Sequence, residues 1–129
     1  MLTTPTNHRR GSLTAMLCPP KAALGARSLL SGPQAGQLAD LFKMLANDTR
    51  LRLLHALVRD GELCVNDLAD AIGMKPQAVS NQLQRLAERG ILGSRREGNQ
   101  IFYRIVDPCV PALLDQGLCL TEDAKERRR

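Results

Sequence analysis

The chain has 129 residues, 43% of them hydrophobic and 24% charged, with a formal net charge of +5. That length supports one domain with a modest core, and the aliphatic share excludes disorder throughout. Phe42, Phe102 and Tyr103 are the only aromatics, too few for a protein that stacks single-stranded bases. No apolar run approaches the ~20 residues of a membrane span, and collagen, coiled-coil and repeat periods are absent.

Residues 1–35 mix Thr, Pro, Ser and Gly with Arg9, Arg10, Lys21 and Arg27 and hold no acid, a net +4. Without sustained periodicity they read as a flexible basic arm. Their acid-free character superficially resembles a transit peptide, but the apolar pieces are too short and broken for a secretory signal, and the segment is read as an arm without a targeting role. Met16 is an alternative start that leaves Cys18 near the N-terminus.

From residue 36 a helical period begins. Leu38, Leu41, Phe42 and Leu45 recur at i, i+3, i+4 and i+7, predicting a helix over 36–46. Asn47 is positioned to cap a second helix over 48–59, with Leu51, Leu54, Leu57 and Val58 as its apolar stripe and Gly61 as its stop. Residues 65–72 read as a short helix closed by Gly73, and Pro76 opens a helix running to about Arg89. On that helix Val79, Leu83 and Leu86 face inward, leaving Gln77, Ser80, Asn81, Gln84 and Arg85 outward.

The period then becomes strand-like. Residues 91–97 and 100–106 flank the turn pair Gly98-Asn99, predicting a β-hairpin anchored by Phe102 and Ile105. Asp107-Pro108 starts a last helix with Val110, Leu113, Leu114 and Leu118 on one stripe. That is more apolar surface than a terminal helix buries alone on so small a core, which points to a partner subunit. The fold class is therefore mainly α with a β-hairpin wing, a winged helix-turn-helix.

Charge agrees with this reading. Residues 36–124 net −2, yet within them residues 75–104 hold Lys75, Arg85, Arg89, Arg95, Arg96 and Arg104 against Glu88 and Glu97, a local +4. A basic patch on a near-neutral domain suits a polyanion docked at one face. Gln77, Ser80, Asn81, Gln84 and Arg85 suit base edges in a major groove. Lys75 beside the helix N-terminus suits phosphate, and Arg95, Arg96 and the Asn99 tip suit the backbone or minor groove. A solvated polar face is the plain alternative, and the basic hairpin directly after the helix argues against it. The implied partner is duplex DNA.

The segments LADLFKMLANDTRLRLLHAL, ELCVNDLADAIGMKPQAVSNQLQRLAERGIL and REGNQIFYRI resemble the ArsR/SmtB family of metal-sensing winged-helix repressors, over roughly residues 36–123. The resemblance implies a cytoplasmic homodimer formed by the first and last helices, which represses an operon until an inducer lowers its DNA affinity. Ser80 falls on the family's common recognition-helix serine and Asn81 where a His is frequent. Residues 124–129 are left as a basic tail.

Cys18, Cys64, Cys109 and Cys119 form no C-x-x-C pair, so a zinc ribbon is excluded, and a cytosolic regulator keeps its thiols reduced. The resemblance implies two sites to weigh. Where the family often reads ELCVCDL, this chain has ELCVNDL: Cys64 is kept, Asn66 replaces the second thiol, and Cys18 is the other candidate ligand. The plain alternative is that Cys64 is a small core residue. The last-helix site of the family pairs Asp and His from one subunit with His and Glu from the other. Here Asp107 and Cys109 match the first pair, Leu120 takes the second His position beside Cys119, and Glu122 and Asp123 follow.

Cys109 and Cys119 are ten residues apart, about 15 Å along a helix, so within one helix they are beyond chelation or the ~7 Å reach of a disulfide. Two antiparallel copies meeting near Leu114 bring Cys109 of one to Cys119 of the other, twice by symmetry. Such a site suits zinc, cadmium or arsenic(III) as inducer, or a reversible intersubunit disulfide. His8 and His55 have no neighbouring ligand, and no nucleophile–base pair or phosphate-cradling Gly loop points to an enzyme. The rival functions are a thiol-redox or sulfide-responsive repressor, and a winged-helix protein-interaction module without sensing.

Overall fold

A computed structural model of the chain describes residues 21–127. Cys18, the first part of the arm and the last two arginines lie outside the described residues. Among the described residues there are five α-helices, three strands and a 3-10 turn at Leu24–Ala26.

Helix α1 spans Gly32–Leu45 and starts four residues earlier than its apolar period. Ser31 causes this. Its Oγ accepts from the Gln34 N–H at 3.2 Å, and Gln34 Oε1 accepts from the Ser31 N–H at 3.0 Å, a reciprocal cap with Pro33 in the first turn. Residues 32–35 thus belong to a helix, not to the arm.

Helix α2 spans Asp48–Asp60, with Asn47 Oδ1 accepting from the Arg50 N–H at 3.0 Å as the sequence predicts. Its core face is Leu53, Leu54 and Leu57, whereas Leu51 and Val58 are exposed. This corrects the predicted stripe. Residues 51 and 58 lie two turns apart on one side of the helix, and 53 and 57 lie one turn apart on the other.

Strand β1, Leu63–Cys64, is too short for periodicity to reveal and pairs with β3 instead. Helix α3 follows at Val65–Ile72, closed by Gly73 in the left-handed region at φ 70 and ψ 39. Helix α4, Pro76–Glu88, buries Val79, Leu83 and Leu86 as its period requires. These residues, with Leu53, Leu54 and Leu68, are the largest fully buried side chains. The three helices α2, α3 and α4 pack on one another and on the sheet.

The hairpin joins β2, Leu92–Glu97, to β3, Gln100–Ile105, through Gly98-Asn99, and the sheet order is β1-β3-β2. Gly98 sits at φ 64, which a residue with a Cβ adopts poorly. Tyr103, not Phe102, is the buried aromatic anchor, while Phe102 and Ile105 are half-buried. Side chains alternate along a strand, so burying Tyr103 turns Phe102 to the opposite face.

Residues 107–127 form a separate unit. Asp107 caps it: Oδ1 accepts from the Cys109 N–H at 2.8 Å and its carbonyl from the Val110 N–H at 3.1 Å. Helix α5, Cys109–Arg127, continues past the predicted limit at residue 123, with Lys125 and Arg127 in the last turn where cations suit the helix dipole. Val110 and Pro111 are buried, Leu113 and Leu114 half-buried, and Leu118 and Leu120 exposed. No helix of the described residues is long and apolar enough to cross a membrane.

Candidate nucleic-acid interface and thiol sites

Helix α3, the turn at Gly73 and helix α4 form the helix-turn-helix. The turn is fixed by the Met74 N–H donating to the Ala69 carbonyl at 3.0 Å, across the left-handed glycine. Helix α4 then offers Gln77, Asn81, Gln84 and Arg85 to solvent, with Ser80 half-buried and Lys75 exposed at the N-cap. The polar side chains order one another. Gln77 Nε2 donates to Asn81 Oδ1 at 3.2 Å, and Gln84 Nε2 donates to Ser80 Oγ at 3.3 Å. Both pairs are one helical turn apart, which leaves the second polar atom of each amide for an external partner.

An open crevice of about 250 Å³ separates α4 from the wing, with Pro76, Gln77 and Ser80 on one wall and Asn99, Gln100 and Ile101 on the other. Cys64, Val65 and Asn66 line its remaining side. Gln77 and Ser80, two of the five predicted base readers, thus face the wing tip across one cleft, whereas Asn81, Gln84 and Arg85 are not part of its lining.

The wing arginines differ. Arg95 is bracketed by carboxylates: Nε and Nη2 lie 2.9 and 2.8 Å from Glu62 Oε1, and Nη1 lies 3.0 Å from Glu97 Oε1. Its guanidinium also stacks over the Phe102 ring, 4.7 Å from the centroid. The hydrogen bond from Arg95, reinforced by the charges of Arg95 and Arg104, holds the Glu62 carboxyl below the usual carboxylate range. Glu62 in turn raises the Arg95 pKa still further. Among the described residues Arg96 has no such carboxylate partner. Sequence reasoning passed over Glu62, because its partners lie over thirty residues away along the chain.

The thiols are dispersed. Cys64 is free and buried, and Cys119 is free and exposed. Cys119 Sγ lies 3.7 Å from Asp123 Oδ2, and the Asp123 charge, ahead of partial burial and Glu122, pushes the thiol pKa up. Cys109 sits at the other end of α5 and is disulfide-bonded here, where the sequence reading has every thiol reduced. Among the described residues no three His, Cys, Asp or Glu side chains converge as a metal site. Among the described residues, Asp107, Cys109, Cys119 and Glu122 are thus not brought together as a metal site, nor is Cys64 with other ligands.

The family profile described as "Bacterial regulatory protein, arsR family" matches residues 47–94. The Pseudomonas putida arsenic resistance transcriptional regulator ArsR1 is 41% identical over 86 residues, 67% of this chain and 66% of that protein's length. The crystal structure of the AntR antimony-specific transcriptional repressor is 63% identical and superposes with a TM-score of 0.72, covering 85% of this chain and 99% of that one. A homodimeric winged helix-turn-helix DNA-binding domain from Mycobacterium bovis is 33% identical with a TM-score of 0.63, covering 75% and 92%. The chain belongs to the ArsR family of bacterial regulatory proteins, winged helix-turn-helix transcriptional repressors that bind DNA and are not enzymes.

Proposed function

We propose that this repressor acts as a homodimer on a pseudo-palindromic operator and is released when a trivalent metalloid or thiophilic metal engages Cys109 of one subunit and Cys119 of the other. Gln77, Ser80, Asn81, Gln84 and Arg85 face base edges in the major groove, and Lys75, Arg96 and the Asn99 tip meet phosphates. Two-fold symmetry then sets half-sites about 34 Å apart. The exposed side chains Leu38 and Phe42 on α1, and Leu118 and Leu120 on α5, are the apolar surface that a second copy covers.

The observation that carries the inducer assignment is the free, exposed Cys119 thiol flanked by Leu118 and Leu120 on the helix that also begins with Cys109. In the reduced protein, a second antiparallel copy brings its Cys109 thiolate to Cys119. Likeness to a repressor described as antimony-specific, and to one described by arsenic resistance, supports a soft trivalent ligand. A ligand bridging the two last helices biases their packing and hence the spacing of the α4 helices. A coupling of about 1–3 kcal/mol changes DNA affinity roughly 5–150-fold. The disulfide at Cys109 favours a second reading, release by thiol oxidation.

Fluorescence anisotropy of labelled DNA from upstream of the coding region tests both. The protein is reduced and metal-free, then titrated with antimony(III), arsenite, zinc, cadmium and a mild oxidant. Release by metalloid or metal that is lost in Cys109→Ser and in Cys119→Ser establishes the interface sensor. Release by oxidant alone establishes the redox reading, and binding that nothing disturbs overturns both.

A further inference from the structure

Glu62 belongs to no helix and precedes the two-residue strand β1, yet it organises the outer face of the wing. The β1–β3 register, Leu63 opposite Tyr103 and Cys64 opposite Phe102, continues to place Glu62 beside Arg104. The β2–β3 register places Arg95 opposite Phe102 and Gly93 opposite Arg104, so Arg95, Phe102 and Arg104 share one face. Tyr103 is buried on the other face, where Arg96 also lies, opposite Ile101. Glu62 spans the outer face, with Oε1 on Arg95 and Oε2 at 4.0 Å from Arg104 Nη1.

Two arginines and two glutamates, Glu62 and Glu97, leave this face electrically neutral. Three nitrogens of the Arg95 guanidinium are already engaged. To meet a phosphate, Arg95 must leave two carboxylates and an aromatic ring. Exposed ion pairs of this kind add little to fold stability. Their larger consequence is on the field that a polyanion meets, because only an available cation releases counterions from DNA.

We propose that Glu62 is a specificity residue for DNA binding, withholding Arg95 and Arg104 from the phosphate backbone and so suppressing affinity for non-operator sequences. The proposal rests on the reading of α4 and the wing as the DNA-contacting face. Arg96, on the opposite face, is then the arginine of this hairpin that contributes to the salt dependence. Base readout by α4 is untouched, so Glu62 widens the gap between operator and non-specific DNA.

The test is the salt dependence of binding to operator and to scrambled duplex, with thermal melting of each variant as a control for folding. Glu62→Gln steepens the log K against log salt slope by about 1–2 and tightens scrambled-DNA binding about eightfold per freed cation at 0.1 M salt. The operator-to-scrambled ratio falls, and adding Arg95→Gln to Glu62→Gln removes about 0.9 of the slope again. In the otherwise native chain, Arg95→Gln leaves the slope within about half a unit and Arg96→Gln lowers it by about 0.9.

A normal wild-type slope that Glu62→Gln leaves unchanged, or makes shallower, overturns the assignment of Glu62 while sparing the DNA face. A larger slope loss from Arg95→Gln than from Arg96→Gln overturns it even if Glu62→Gln does not fold. Wild-type binding without salt dependence overturns the DNA face and Glu62 together.

Discussion

Arg50 of α2 donates Nε–H to Gln82 Oε1 of α4 at 2.7 Å, while its Nη1 donates to the Met44 carbonyl at 2.9 Å. One half-buried side chain therefore ties the C-terminal turn of α1 to the back of the recognition helix. Arg50→Ala leaves a helix-end carbonyl and an amide without this partner. Two hydrogen bonds to a charged group, each worth about 1.5–3 kcal/mol when fully buried, are lost at a half-buried site, so a combined loss of roughly 2–3 kcal/mol is expected in urea denaturation, with Arg50→Lys losing less. Operator affinity falls in Arg50→Lys more than its stability loss explains, because α4 is no longer held to α1. Unchanged stability and affinity in both variants refutes the role.

Gly73 sets the angle at which α4 leaves α3. At φ 70 and ψ 39 it occupies the left-handed region with open space around the position of a Cβ. The cost of Gly73→Ala is thus backbone strain alone, about 1–2 kcal/mol. Gly73→Asn costs less, since asparagine tolerates this conformation. Equal melting temperatures for the two variants count against strain as the cause.

On the recognition helix, Gln77 and Asn81 hold each other by a single hydrogen bond. In the proposed DNA complex they act as a pair, each amide orienting the other. Gln77→Ala and Asn81→Ala each relax discrimination at one or two operator positions by about 1–3 kcal/mol. Their double mutant loses less than the sum, because each single change already frees the partner amide. Binding to a set of single-base operator variants reads this out. A uniform loss across all operator variants reassigns the pair to phosphate contact.

Much of this architecture is legible in the sequence because local chemistry repeats it. Asn47, Gly73, Pro76 and Gly98-Asn99 punctuate the chain where the structure turns. The failures have a common physical origin. Leu51 and Val58 carry the right residue type, but several apolar faces of α2 compete, and only packing decides that Leu53 is inside. Tyr103 and Phe102 are adjacent aromatics, and their faces depend on a register that sequence alone leaves open. Glu62 is invisible for the same reason: its role exists only once β1 pairs with β3. The Ser31–Gln34 cap, by contrast, is a local signal that four polar and small residues in a row disguise as arm.

Cys119 and Asp123 stand one helical turn apart, and the carboxylate opposes formation of the thiolate. The sign follows from charge. A negative neighbour favours the neutral thiol, so the pKa lies above the ordinary value and the nucleophilic form appears at higher pH. Asp123→Asn removes the largest cause of that shift and moves thiolate formation to lower pH. Alkylation of Cys119 by iodoacetamide, followed peptide by peptide, should then be faster in Asp123→Asn near neutral pH, with the difference closing at alkaline pH where the thiol is ionised in both proteins. Buried Cys64 serves as the internal control for unfolding, because it reacts only when the fold opens. If the pH profile of Cys119 is the same in both proteins, the carboxylate is not what restrains the thiol. If it moves as expected, capture of a thiophilic inducer strengthens with pH in the native chain and less so in Asp123→Asn.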